Sequence, residues 1–363
     1  MLRQLLGRGD RRAGSLARIK RSSLYENALV QRLLAASPTS AHLLEDLYRF
    51  VLARAMRPEA RADAADLPAR LATFTTRFAT ATDTAENVAA SSPGRTNAER
   101  PVFLLAAGWR SGSTLLQRVL MSSGDVMIWG EPFARSGVAT SLASQFRAFT
   151  EEWPPASYFV ANQGAELSDQ WVANSYPEPA QLVAAHRAFF IQLLAEPASA
   201  LGRDHWGLKE VRLGGEHARY LKLLFPGARF VFLVRDPYAA YASFRHYIKS
   251  DFHAWPERPI HTAGEFGRLW AELASSLQET TAAVDALWLR YEDYLRDPAL
   301  HRALCAHVDA ELTPPGQLSL IPSAGQIGAT ETAKPENQLL WYERRALRAT
   351  TRETAERLGY APQ

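Results

Sequence analysis

The sequence predicts an α/β fold: a three-layer domain with a central, mainly parallel sheet, preceded by an N-terminal helical extension. Three observations predict it. Short, almost wholly apolar runs recur at PVFLLAA (101–107), DVMIW (125–129), HWGLK (205–209), ARFVFLV (228–234) and ALWLR (286–290). Runs of this length and composition suit strands covered on both faces, as in a parallel sheet. Helix-forming stretches separate them, near 180–195, 215–225, 237–250 and 263–285, so strand and helix alternate. Before residue 101 the pattern is different. Apolar positions recur at helical spacing over 24–56, broken around Pro38, and again over about 67–88. Residues 89–100 (AASSPGRTNAER) read as a linker or long loop. The chain thus divides into an extension with linker, 1–98, and a domain, 99–363.

Composition narrows the function classes. Of 363 residues, 47% are hydrophobic and 22% charged, which suits a soluble globular protein with a substantial core. The net charge of +3 is too small to argue for a nucleic-acid partner, but it suits a site that holds several phosphates. Only five of the 41 basic residues are lysines (Lys20, Lys209, Lys222, Lys249, Lys334), so a lysine here is an uncommon choice. The single cysteine, Cys305, excludes an intramolecular disulfide and a cysteine-based zinc site. No cluster of metal ligands is visible, so no metal is expected. The start of the chain lacks the apolar core of a signal peptide, and no run of 18 apolar residues exists. A cytoplasmic protein without a transmembrane segment is expected. Residues 1–22 carry seven basic side chains against Asp10; they form either a solvated helix face, a contact with a membrane surface or an organelle presequence.

The informative segment is PVFLLAAGWRSGSTLLQRVL, 101–120. A buried strand enters a glycine-rich turn, Gly108 to Thr114, and a helix follows. Such a turn presents backbone N–H groups at a positive helix terminus, which is an anion cradle. The spacing GxxxGST is one residue shorter than GxxxxGK[ST] and lacks its lysine, which argues against a nucleotide kinase. Read alone, the segment could also be a plain strand-to-helix connection.

The loop resembles the 5′-phosphosulfate loop of sulfotransferases that use 3′-phosphoadenosine 5′-phosphosulfate (PAPS), a P-loop-like family. The resemblance implies that Arg110 stabilises charge at the sulfuryl group and its leaving oxygen. It implies that Ser113 and Thr114, with Ser111 and Gly112 beside them, hold the 5′-phosphate. A second motif follows in LLFPGARFVFLVRDPYAAYASFRHY, 223–247. Arg235 ends a strand and Ser243 lies eight residues on, within a helix that Pro237 suits at its first turn. In the family an arginine and a serine at this spacing grip the 3′-phosphate. LWLRYEDYLRDP, 287–298, resembles a third family segment, mostly structural in role, and brings Tyr291 to the cofactor site. The resemblance covers about 101–300 and comes closest to the carbohydrate and tyrosylprotein branches.

A base is still needed. Glu131 stands 21 residues after Arg110, in IWGEPF, at an offset where both branches carry a glutamate. A carboxylate there can take the acceptor's proton, or it can be a strand-end group in a structural ion pair. Lys209, in GLKEVR, resembles the lysine of a carbohydrate-branch segment and would add a second cation near the phosphosulfate. Arg212 in the same segment would hold substrate or base. His205, His217 and His246 are alternative bases. Lys334 resembles a C-terminal lysine that closes over the cofactor. The expected reaction is in-line sulfuryl transfer from PAPS without a metal. The acceptor would be a small molecule or glycan, with a carbohydrate or similar alcohol favoured over peptide tyrosine, phenols or lipid hydroxyls. Aromatic residues of 133–180, including Phe146, Phe149, Trp153, Tyr158 and Phe159, are candidates for the acceptor wall. A non-catalytic nucleotide-binding protein on the same fold is the reading from another class.

Overall fold

The structure is a computed structural model, describing residues 59–78, 98–131, 137–162, 166–169, 172–245, 260, 262–318 and 339–361. Helix candidates within 24–56, the basic residues 1–22, Pro132, His246 and Lys334 lie outside the described residues, as does most of the linker. The chain divides into two compact units. One is Met1–Ala65 with Tyr247–His261; the other, Asp66–His246 with Thr262–Gln363, holds the elements considered below except residues 59–65 of the first helix.

The strands are β1 Val102–Ala106, β2 Val126–Gly130, β3 His205–Glu210, β4 Arg229–Val234 and β5 Ala286–Arg290. They form one parallel sheet in the order β2-β3-β1-β4-β5. The helices are α1 Glu59–Arg77, α2 Ser113–Leu120, α3 Val138–Ser144, α4 Pro179–Phe190, α5 Glu196–Ala200, α6 Gly215–Leu224, α7 Pro237–Arg245, α8 Ala263–Val284, α9 Tyr291–Arg296, α10 Pro298–Val308 and α11 Trp341–Arg357. A single π turn, Ile191–Ala195, joins α4 to α5. Among the described residues no helix is long and apolar enough to cross a membrane.

Burial explains the apolar runs. All five residues of β1 are buried, as a central strand covered on both faces requires. Beneath it Phe103, Trp206, Phe225 and Phe230 pack ring against ring, at centroid distances of 6.0 Å for Phe103–Trp206, 5.4 Å for Trp206–Phe225 and 5.3 Å for Phe103–Phe230. Each such side chain contributes roughly 1.5–3 kcal/mol by leaving water. Helix α2 packs on β1 and β2, while α8 packs against α6 and α11. A capping box starts α8: Glu265 N–H donates to Thr262 Oγ1 (3.2 Å) and Thr262 N–H to Glu265 Oε2 (2.9 Å).

Helix α1 starts earlier than its apolar spacing predicts and runs through Pro68. Its Leu67, Leu71 and Phe74 are buried, and burial of that face offsets the hydrogen bond that a mid-helix proline removes. Phe74 meets Phe146 and Phe149 edge-on, both at 4.8 Å. Those two rings, expected as acceptor wall, are therefore core; Trp153 is the exposed member of that group.

The order of strands places the site. From β1 the chain crosses to one edge, β2; from β4 it continues to the other edge, β5. The connections leaving β1 and β4 diverge, so the carboxyl ends of these neighbouring strands flank the switch point where open α/β sheets bind ligands.

Candidate active site

All five strands deliver a candidate residue at their carboxyl ends. In sheet order these are Glu131 after β2, Lys209 and Glu210 on β3, the Arg110 loop after β1, Arg235 after β4 and Tyr291 after β5.

The loop after β1 bends through the left-handed region repeatedly. Gly108 has φ 85°, Arg110 62° and Gly112 89°, and Gly112 caps α2. Gly112 has a second reason to lack a side chain: a Cβ there would lie 2.2 Å from the Tyr291 ring. The tyrosine therefore packs directly on the loop. Ser111 is 1% exposed, and its Oγ has no hydrogen-bond partner among the described residues. Buried hydroxyls are almost always partnered, so this orphan has an unused hydrogen-bonding capacity. Ser113 is buried and Thr114 exposed, both in the first turn of α2, whose N-terminus favours negative charge.

Arg235 ties the second loop to the first. Its Nη1 donates to the Arg110 carbonyl at 3.0 Å, and its guanidinium lies 4.8 Å from the Tyr291 ring centroid. The Arg235 carbonyl accepts from Trp270 Nε1 at 3.0 Å. Asp236 then caps α7 through Oδ1, which accepts from Ala239 N–H at 2.8 Å. Ser243 on that helix accepts from Arg110 Nε at 2.9 Å. Arg110, Arg235, Ser243, Gly112 and Tyr291, far apart in sequence, thus form one connected cluster. Glu292 is occupied structurally: Oε1 accepts from Asp236 N–H (2.9 Å) and Oε2 from Tyr360 OH (3.1 Å).

On the other side of β1, Lys209 Nζ donates to Glu131 Oε1, and Glu131 N–H donates to the Lys209 carbonyl at 2.8 Å. Lys209 is buried. Glu131 has φ 36°. Among the described residues four non-glycine residues have positive φ: Arg110, Glu131, Asp285 and Asp309. The two aspartates are left-handed C-caps of α8 and α10, an ordinary helix ending. The other two are the candidate catalytic arginine and base, and unrelieved backbone strain concentrates at functional sites. One strand separates β2 from β1, so Glu131 and the Arg110 loop start about 10 Å apart at the backbone.

Sequence reasoning did not single out Glu210. Its carboxylate accepts from Arg212 Nε (2.9 Å) and Nη2 (2.6 Å) and from Val211 N–H (2.9 Å). Arg212 therefore engages Glu210. Burial pushes the Glu210 carboxyl up from its ordinary range, Arg212 opposes this, and the nearby Glu131 carboxylate adds to it. The signal was present as the one acid of GLKEVR, but only tertiary structure shows it buried. His205 is half-buried at the start of β3, the strand end opposite Lys209.

The sequence model of one family, described as the sulfotransferase family, matches residues 101–314. Among solved structures, the chain is similar to the sulfotransferase domain of the Synechococcus PCC 7002 olefin synthase, at 20% identity and TM-score 0.41, over 72% of this chain and 95% of that one. It is also similar to the sulfotransferase domain from the curacin biosynthetic pathway, at 17% identity and TM-score 0.44, over 73% and 99%. A sulfotransferase from Alicyclobacillus acidocaldarius is similar at 15% identity and TM-score 0.35, over 69% and 95%. No curated protein matches the chain.

Proposed function

Because the chain belongs to the sulfotransferase family, we propose that it moves a sulfuryl group from PAPS to a hydroxyl of a small-molecule or glycan alcohol, releasing adenosine 3′,5′-bisphosphate. The observation that carries this reading is the joining of the two anion loops, with Arg235 bonded to the Arg110 carbonyl and Tyr291 packed against both. That arrangement suits a ligand with phosphates at both ends of a nucleoside. The orphaned Ser111 hydroxyl and the space kept by Gly112 fit the same ligand.

PAPS supplies an activated sulfuryl group on a phosphate leaving group. Ser111, Ser113, Thr114 and the N–H groups opening α2 hold the 5′-phosphate end. Arg235 and Ser243 hold the 3′-phosphate, the arginine through charge-assisted bonds. Arg110 stabilises charge as it develops on the leaving oxygen. Glu131 takes the acceptor's hydroxyl proton, and Lys209 orients it through their ion pair. The cations and helix-terminal N–H groups neutralise the leaving group, so these residues need no metal for their part.

Incubation of the protein with PAPS and a panel of alcohols, sugars, phenols and tyrosyl peptides tests the reading by mass spectrometry. The expected products are the bisphosphate and an ester heavier by one SO3 unit. Bisphosphate binding with no ester from any acceptor would assign the chain a binding role instead.

A further inference from the structure

The peptide group that follows Arg235 is held at both of its ends. Its carbonyl, that of Arg235, accepts from Trp270 Nε1 at 3.0 Å, and its N–H, that of Asp236, donates to Glu292 Oε1 at 2.9 Å. A peptide group is planar and includes the Cα before it, so bracing this one limits how the Arg235 side chain can turn. That side chain keeps a donor in reserve. Its Nη1 is taken by the Arg110 carbonyl, but its Nε is buried and has no hydrogen-bond partner among the described residues.

Both bracing groups rest on one residue outside the sheet. Tyr360 OH donates to Glu292 Oε2 at 3.1 Å, and the Tyr360 ring meets the Trp270 ring edge-on at a centroid distance of 6.3 Å. The Arg290 guanidinium, at the end of β5, lies 4.2 Å from the Tyr360 ring centroid, within cation–π reach. Tyr360 and Trp270 are both buried. Burial, and then the Glu292 carboxylate, push the Tyr360 phenol up from its ordinary pKa, so its O–H remains a donor.

Local sequence puts Tyr360 there. After α11 the chain reads Leu358-Gly359-Tyr360. Gly359 N–H donates to the Glu356 carbonyl at 3.0 Å and Tyr360 N–H to the Ala355 carbonyl at 2.9 Å, the two bonds of a Schellman turn. That turn requires left-handed backbone at its glycine, and Gly359 has φ 79°. A Cβ at this position would also lie 3.1 Å from Arg290 Nη1. The turn brings Tyr360 back to Trp270 of α8 and Arg290 of β5.

Building on the reading of Arg235 as the group that holds the 3′-phosphate, we propose that Tyr360 and Trp270 are positioning residues for that arginine. They brace the Arg235–Asp236 peptide, Trp270 directly and Tyr360 through Glu292, so the guanidinium is aimed before a nucleotide arrives. Supporting bonds of this kind keep a binding group in its productive geometry and reduce the ordering cost on binding.

The test uses the full chain and two nucleotides, adenosine 3′,5′-bisphosphate and adenosine 5′-monophosphate. The ratio of their Kd values isolates the 3′-phosphate. Tyr360→Phe removes the hydroxyl and keeps the ring. It is expected to lower the wild-type preference for the bisphosphate by about threefold or more, with the monophosphate Kd unchanged. Trp270→Phe, which removes the N–H that binds the Arg235 carbonyl, is expected to do the same, and it carries the test if Tyr360→Phe folds poorly. In an Arg235→Ala background there is no guanidinium to aim, so neither substitution should change the ratio. Variants that keep the wild-type ratio while their Tm falls would overturn the positioning role and leave the sulfotransfer reading intact. A loss of preference that persists in the Arg235→Ala background would overturn it as well. A wild type that binds both nucleotides equally would overturn the 3′-phosphate role of Arg235 itself, and the positioning role with it.

Discussion

At the residue scale, the account depends on two residues in left-handed backbone, Arg110 and Glu131. If Glu131 is the base, replacing its carboxylate by an amide of the same shape removes proton acceptance and also the charge that Lys209 pairs with. Glu131→Gln should slow single-turnover transfer by ~10²–10⁴-fold, with PAPS affinity nearly unchanged, since Glu131 belongs to the β2–β3 side of the site. A melting curve on the same preparation separates this from a structural role: normal turnover per folded molecule with a lowered Tm would mean that Glu131 serves only its ion pair with Lys209. The sequence made Arg110, Glu131 and Lys209 visible because their types are chemically selective and their offsets match a family pattern. It did not show that Lys209 would reach Glu131, or that Arg212 would turn to Glu210. The first pairing depends on β2 lying beside β3, a non-local fact that no spacing within GLKEVR encodes; the second is local, between residues two apart.

At the scale of elements, the contact of Tyr291 on Gly112 couples the end of β5 to the loop after β1. Gly112→Ala should destabilise the protein by more than the ~1–2 kcal/mol that left-handed backbone costs an L-residue, because the new Cβ would also meet the Tyr291 ring. In a Tyr291→Ala background the ring is gone and only the backbone cost should remain. A denaturant-unfolding double-mutant cycle reads the difference; equal costs in both backgrounds would remove Tyr291 from the argument. The strands were legible as short, mostly apolar runs: ARFVFLV contains the buried β4, and ALWLR is the edge strand β5, where Leu289 is buried. Helix ends were less legible. The stretch expected over 180–195 forms α4 and then a π turn, which leaves no mark in apolar periodicity. The aromatics Phe146 and Phe149 suited an acceptor wall in sequence, and it took Phe74 of α1 to place them in the core.

At the scale of the whole molecule, the buried His186 and the half-buried His307 set an acid limit on stability. His186 Nδ1 accepts from Tyr220 OH (2.9 Å) and Nε2 donates to Gln145 Oε1 (3.2 Å). His307 Nε2 donates to the Phe230 carbonyl at 2.9 Å. Burial lowers the pKa of both below the ordinary histidine value. The unfolded chain therefore binds more protons than the folded one as pH falls below about 6.5, so stability present above that pH is lost on acidification. The Tm should fall between pH 7.5 and 5.5, and His307→Gln should flatten part of that slope. A Tm independent of pH over this range would contradict the assignment.

The central claim is that one nucleotide bridges the ends of β1 and β4, and its 3′-phosphate tests this most directly. Titration calorimetry should compare adenosine 3′,5′-bisphosphate with adenosine 5′-monophosphate on the wild type and on Arg235→Ala. Losing a charge-assisted pair should cost roughly 1.5–3 kcal/mol, or at least about tenfold in Kd. The account predicts that the wild type prefers the bisphosphate by that factor or more and that Arg235→Ala closes most of the gap. Equal affinity of the wild type for both nucleotides, or a gap that Arg235→Ala leaves untouched, would contradict it.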